Sequence, residues 1–171
     1  MHGKNLGNTK MKKNVKRYSV VTFILLTLMG LFGCNKDPYM LGIKRYNYTD
    51  RAIADFSANE QSGGNLFLSS ETSGGGGVSC CVTMTRRTKT PFWIDVRYRR
   101  DALETYRPRK EIEPAGNYTT TRIQVTGPIP PDPSYLEIHF YPDQHIEAAI
   151  SGADGPSPPR LKLQTRSTFA R

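Results

Sequence analysis

Between residues 92 and 99 apolar and polar side chains alternate with the period of two that sends successive residues to opposite faces of a β-strand. Phe92, Ile94, Val96 and Tyr98 share one face, and Trp93, Asp95, Arg97 and Arg99 the other. Residues 78–85 repeat the pattern, with Val78, Cys80, Val82 and Met84 set against Ser79, Cys81, Thr83 and Thr85. Runs rich in β-branched and aromatic residues predict further strands at 41–48, at 51–58 with Phe56 inward, at 65–69 with Leu66 and Leu68 on one face, and at 122–126. Residues 135–141 and 144–150 predict a hairpin closed by Pro142 and Asp143. Gly63-Gly64, residues 73–77 and the Pro-rich stretch 127–133 separate these runs. Residues 101–106 predict the one helix, with Asp101 as N-cap and Pro108 limiting its extension. The sum is a mainly β chain: an antiparallel β-sandwich of about seven strands with at most one short helix.

A different pattern opens the chain. Apolar residues dominate positions 20–31, and five cations, Lys10, Lys12, Lys13, Lys16 and Arg17, precede them within eight positions. A short apolar core behind a positive region reads as a secretory signal, below the roughly 20 residues that a bilayer span needs. Leu31-Phe32-Gly33-Cys34 resembles the lipobox of bacterial lipoproteins, with Gly33 small enough for the signal peptidase and Cys34 as the acylated residue. The expectation is a signal peptide over residues 1–33, cut between Gly33 and Cys34. Met11 followed by Lys12 and Lys13 looks like a natural start, so residues 1–10 read as a mis-assigned one. Residues 34–40 then form a tether, 41–150 the sandwich domain, and 151–171, with Pro156, Pro158 and Pro159, a flexible tail. Acyl chains, at about 0.8 kcal/mol per buried methylene, hold such a protein to a membrane without a spanning helix. Asn35 in place of aspartate beside Cys34 favours the outer membrane, with the domain facing the periplasm.

Charge changes meaning once the leader is set aside. The formal charge of +9 includes six Lys or Arg and no acid in residues 1–33, so +3 remains over residues 34–171. That excludes a basic nucleic-acid binder. The remaining basic clusters, Arg86, Arg87 and Lys89 among them, are interleaved with acids; they read as a mixed solvated surface or as a site for an acidic partner or lipid phosphates. With Cys34 lipidated, Cys80 and Cys81 are an even pair in an oxidising compartment. They form either a disulfide between neighbours on a distorted turn, or one buried and one exposed thiol. Two adjacent thiols without a nearby His make a poor metal site, and no metal or cofactor is expected. His139, His145 and Asp143 are the candidate catalytic groups, yet none sits in a hydrolase or metalloprotease motif, and Gly74, Gly75, Gly76 and Gly77 lack the ending of a phosphate loop. A surface pair at the hairpin is expected, and no enzymatic activity.

Asn47-Tyr48-Thr49-Asp50-Arg51, the run from Gly74 to Gly77 leading into Cys80-Cys81-Val82, and the late strand with Pro142-Asp143 together resemble a family of proteobacterial lipoproteins of unassigned domain type. Its members are often encoded beside lipase effectors of the type VI secretion system. The likeness covers roughly residues 43–150; Ala52 stands where members often carry proline, and Gln144 where a glycine is usual. The resemblance implies an immunity protein: a lipid-anchored periplasmic binder that blocks a phospholipase. Trp93, Arg97, Tyr98, Arg99 and the glycine run are the candidate partner-binding residues. The alternative is a structural or housekeeping envelope lipoprotein with no toxin partner.

Overall fold

The computed structural model describes residues 37–105 and 107–161 and a final two-residue strand; the expected leader, Gly33 and Cys34 lie outside the described residues. Eleven strands follow in chain order: β1 (Tyr39–Asn47), β2 (Ile53–Ala58), β3 (Gln61–Leu66), β4 (Ser79–Met84), β5 (Phe92–Arg100), β6 (Leu103–Thr105), β7 (Lys110–Glu113), β8 (Thr119–Val125), β9 (Pro133–Phe140), β10 (Ile146–Gly152) and β11 (Phe169–Ala170). Two four-stranded sheets, ordered β10-β9-β1-β4 and β3-β2-β5-β8, form a sandwich, and β11-β6-β7 make a small third sheet. The described pairings are antiparallel except β1 with β9, which run parallel from Gly42 opposite Tyr135 to Asn47 opposite Phe140.

Period-two alternation builds the core. Leu41 and Ile43 of β1, Val82 and Met84 of β4 and Leu136, Ile138 and Phe140 of β9 face Ile53, Phe56, Leu66, Ile94, Val96, Ile123 and Val125 of the other sheet, all buried. Burying apolar area at about 25 cal/mol per Å² is what closes the two sheets on each other. Phe140 meets Phe56 and Tyr98 edge-on, with ring centroids 5.8 and 5.3 Å apart.

Four local expectations are corrected. The β2–β3 hairpin turns at Asn59 and Glu60, both with positive φ, and not at Gly63-Gly64. Gly63 lies inside β3, where a β-carbon would run into the Phe56 ring, so it packs an aromatic across the sheet instead of breaking the strand. Residues 103–105 form β6 and not part of a helix, pairing with β7; so few residues cannot recover the cost of helix nucleation, whereas a neighbouring strand supplies a ladder. The alternation of β4 breaks between the Leu41–Val82 and Ile43–Ser79 pairs, where Cys80 and Cys81 face the single residue Gly42. This β-bulge leaves Val78 and Cys80 exposed, although the alternation places them with Val82 and Met84. Finally, the expected tail begins inside β10, and its later residues lie along the outer face of the first sheet: Ser157 bonds to Tyr46 of β1 and Glu137 of β9, and Arg160 to Tyr48 just past β1.

Candidate functional site

The candidate partner-binding residues of β5 divide between two faces. Trp93, Arg97 and Arg99 lie on the outer face of the second sheet, where Trp93 is 50% exposed. Arg97 and Arg99 sit over the Tyr118 ring at 3.4 and 5.3 Å, and Arg122 over Trp93 at 5.6 Å. The Tyr118 hydroxyl donates to Asp55 at 2.8 Å, which pins the ring beneath the two guanidinium groups. Tyr98 points the other way, half-buried against Phe140, so it belongs to the core and to a cleft described below.

The glycine run packs inward and onto the first sheet. A β-carbon at Gly74 would collide with the Arg45 carbonyl, and one at Gly75, whose φ is +88°, with the Phe67 carbonyl. Gly77 has open space around it. The loop is anchored by Ser69, whose hydroxyl donates to the Gly74 carbonyl at 2.7 Å and accepts the Asn47 N–H at 2.8 Å. Asn47 is fully buried at the end of β1 and closes the clasp: its Nδ2 donates to the Arg51 carbonyl at 2.9 Å and the Leu66 carbonyl at 3.4 Å, while its Oδ1 accepts the Thr49 N–H at 3.0 Å. The Asn-Tyr-Thr-Asp-Arg motif thus opens with the residue that ties the β1–β2 turn, β3 and the glycine loop together.

Thr49, Asp50 and Arg51 of the motif line a cleft of about 390 Å³ at this end of the sandwich. Arg51, nearly buried, bonds to Asp50 at 3.1 Å and Glu113 at 2.6 Å, and Arg100 bonds to Asp50 at 2.5 Å. Burial alone would raise the Asp50 pKa, but these two arginines outweigh it and hold the carboxyl below its usual range. Tyr141 and His145, stacked with centroids 4.1 Å apart, form the opposite wall. Both His145 nitrogens meet carboxylates, Nδ1 with Asp143 at 2.5 Å and Nε2 with Glu147 at 3.6 Å. The turn that carries them uses a left-handed backbone at Gln144, φ +70°, the conformation a glycine would adopt most readily.

Tyr48 and His139 were not expected to meet, yet they form the centre of a buried polar chain on the outer face of the first sheet. The Arg160 N–H donates to the Tyr48 hydroxyl at 2.8 Å, and that hydroxyl lies 3.2 Å from His139 Nδ1. Nε2 then faces Glu137 at 3.3 Å, and Glu137 accepts the Ser157 N–H at 2.7 Å. Donors and acceptors match along the chain only if Tyr48 donates to Nδ1 and neutral His139 donates through Nε2. Burial raises the Glu137 pKa, but bonds from His139 and Ser157 overcome it and bring it from 4.5 down to about 2. Burial lowers the His139 pKa below 6.5, and its contact with Glu137 restores only part of that. Tyr46 stacks on His139 at 4.3 Å and donates its hydroxyl to the Ser157 carbonyl. His139 therefore does not share a hairpin surface with His145: it is fully buried, while His145 is exposed. Tyrosine, histidine and glutamate in this order could move a proton, but all three side chains are sealed from solvent by their own fold. Among the described residues no three His, Cys, Asp or Glu are grouped to hold a metal. Cys80 and Cys81 are joined as a disulfide within the β4 bulge.

Residues 46–148 match the model of a family described as a protein of unknown function, DUF3304. The chain belongs to the DUF3304 family. No curated protein and no solved structure matches it. The DUF3304 region starts at Tyr46 in β1 and ends at Ala148 in β10, so it contains the clasp, the cleft and three of the side chains in the buried relay. Ser157 and Arg160, which cap that relay, come from outside it. Sequence reasoning missed the relay because its members are far apart in the chain. A signal was present: Glu137 and His139 alternate with the core residues Leu136, Ile138 and Phe140, and polar groups on so apolar a strand need partners.

Proposed function

We propose that this DUF3304 protein is a lipid-anchored binding protein of the cell envelope, held by acylated Cys34 in the outer membrane and facing the periplasm. In this reading it is an immunity protein that neutralises a phospholipase effector of type VI secretion. The expected leader, ending at Gly33 just before Cys34, and the likeness to lipoproteins encoded beside such effectors support it. The observation that carries the binding role is the outer face of the second sheet, where Trp93, Arg97, Tyr118 and Arg122 are exposed and already paired with one another. Trp, Tyr and Arg dominate the energetic centres of protein interfaces. Fixing their rotamers beforehand lowers the ordering cost of association. A four-stranded face can carry the roughly 800 Å² per partner that a stable complex needs, and the tether raises the local concentration where a lipase acts. Inhibition of this kind requires no nucleophile from the inhibitor.

The experiment is co-expression with a periplasm-directed lipase encoded by the neighbouring gene. The chain protects cells and co-purifies with the lipase, Trp93→Ala with Arg97→Ala abolishes both, and Cys34→Ala weakens protection by releasing the protein from the membrane. A neighbouring gene that encodes no toxin, together with a deletion strain as resistant to its sisters as the parent, would sink the proposal.

A further inference from the structure

Two arginines of this chain are buried, Arg45 and Arg51, and they differ in their counter-charges. Arg51 is held between Asp50 and Glu113. Arg45, 8% exposed, shares the inward face of β1 with Leu41 and Ile43; burial lowers its pKa and no carboxylate offsets that. A guanidinium keeps its charge throughout the range of pH in which proteins fold, and it brings several N–H donors. Here Nη1 donates to the Ser79 hydroxyl at 3.0 Å, and the Phe56 ring centroid lies 5.7 Å from the guanidinium carbon. Of the two nitrogens without a bond, Nε is sealed and Nη2 is not. Burying a charge this poorly paired is strongly unfavourable.

The cation lies at the seam where β3 and β4, the last strands of their sheets, adjoin. Glycines line that seam. A β-carbon at Gly76 would come within 2.6 Å of Nε and 3.3 Å of Nη2, and one at Gly64 within 3.8 Å of Nη1. Both glycines are half-exposed, so the gap over the guanidinium has no side chain of theirs across it. Two exposed apolar residues stand beside it, Phe67 at 45% and Val78 at 51%. Phe67 donates its N–H to the Gly75 carbonyl, next to Gly76, and Val78 precedes Ser79. The Lys44 ammonium donates to the Gly76 carbonyl at 3.3 Å, and Glu71, exposed in the turn before the glycine run, makes no ion pair with Arg45.

We infer that this gap receives one acidic side chain of a partner protein, its carboxylate pairing with Arg45 between Gly64 and Gly76 while Phe67 and Val78 cover the apolar residues beside it. The unpaired charge selects an anion, and the planar guanidinium edge matches a planar carboxylate. A free anion would leave Phe67 and Val78 in water; an acid on a polypeptide uses both. An arginine set in a desolvated pocket with an apolar surround is also the usual make-up of an interface hot spot. The site lies at the β3 edge of the second sheet, whereas Trp93 and Arg122 belong to β5 and β8. It is a second contact surface and requires neither that face nor a lipase as the partner.

The test titrates the full chain, isotope-labelled and held in detergent micelles, with the blocked peptide acetyl-Val-Glu-Val-amide. The Nε–H resonance of Arg45, identified by its loss in Arg45→Met, shifts saturably together with the Gly64 and Gly76 amides. The peptide binds about tenfold or more tighter than acetate or inorganic phosphate, through the apolar area it adds, and acetyl-Val-Gln-Val-amide does not bind. Gly76→Ala sets a methyl group against Nε and abolishes the shift of the glycine amides. Arg45→Met abolishes it too, yet melts at or above the wild-type temperature, because an apolar chain in place of a poorly paired buried charge is neutral or stabilising. A lower melting temperature for Arg45→Met would assign the cation to holding Phe56 and Ser79 in place. That result, no shift with the glutamate peptide, or equal affinity for acetate or phosphate overturns the docking site. None of these readouts involves a lipase, so they stand or fall apart from the immunity reading.

Discussion

Asn47 and Ser69 exchange hydrogen bonds across 22 residues: the Asn47 N–H donates to the Ser69 hydroxyl at 2.8 Å, and the Ser69 N–H returns a bond of 2.8 Å to the Asn47 carbonyl. With the amide side chain serving Thr49, Arg51 and Leu66, this pair joins three segments that no continuous strand connects. Asn47→Ala strips the side-chain partner from the Leu66 carbonyl and the Thr49 N–H, leaves the Arg51 carbonyl only the Thr49 hydroxyl, and lowers stability by about 2–4 kcal/mol, since each unpaired group costs roughly 1–3 kcal/mol. Thr49→Val costs less, about 1 kcal/mol. Urea midpoints of the two variants that differ in the reverse order would refute the clasp.

The glycine run yields a graded series. Gly74→Ala and Gly75→Ala each drive a β-carbon into backbone carbonyl groups, and both lower the melting temperature, whereas Gly77→Ala, with open space around it, leaves stability within about 0.5 kcal/mol. Three equal melting temperatures would mean that the loop does not pack as described.

Acid sensitivity follows from the buried relay. Both Glu137 and His139 have folded pKa values below their ordinary 4.5 and 6.5, so the unfolded chain binds protons first as pH falls. Their stabilisation is complete above pH 6.5. His139 begins to withdraw its share below that value, and Glu137 withdraws about 3 kcal/mol between pH 4.5 and about 2. Denaturation midpoints measured from pH 8 downward therefore stay level and then decline in two stages. In Glu137→Gln the lower stage is shallower; a decline identical to wild type shows that the carboxylate is not held ionised.

The two faces of β5 separate binding from folding. Trp93→Ala weakens capture of the proposed partner by about 2 kcal/mol or more, a hot-spot magnitude, and shifts stability little because the ring is half exposed. Tyr98→Ala does the opposite, costing about 2–4 kcal/mol of stability through lost packing on Phe140. Calorimetric binding and urea unfolding of both variants check the assignment.

Strands whose pattern is local were legible beforehand. β5 alternates over its length, and the β9–β10 hairpin is marked by Pro142-Asp143; both follow from residues adjacent in sequence. The β2–β3 turn was misread because two glycines outweighed Asn59-Glu60, although Phe56 needed a glycine beneath its ring. β7, with all four residues exposed, offers no apolar face to read. The site was less legible for the same reason: Tyr48 meets His139 across 91 residues and Arg160 across 112, so no window of sequence contains the relay. The motif around Asn47 could be noticed, but its work lies in bonds to Leu66 and Ser69, which appear only when the sheets close.

The parallel pairing of β1 with β9 has a consequence for biogenesis. The first strand of the sandwich lies between β4 and a strand that ends at Phe140, so one whole edge of it waits until four-fifths of the chain has been made. Such long-range closure is slow. A polypeptide emerging vectorially from a ribosome or a translocation pore cannot lock this β-sheet early, and it stays threadable until its C-terminal third arrives.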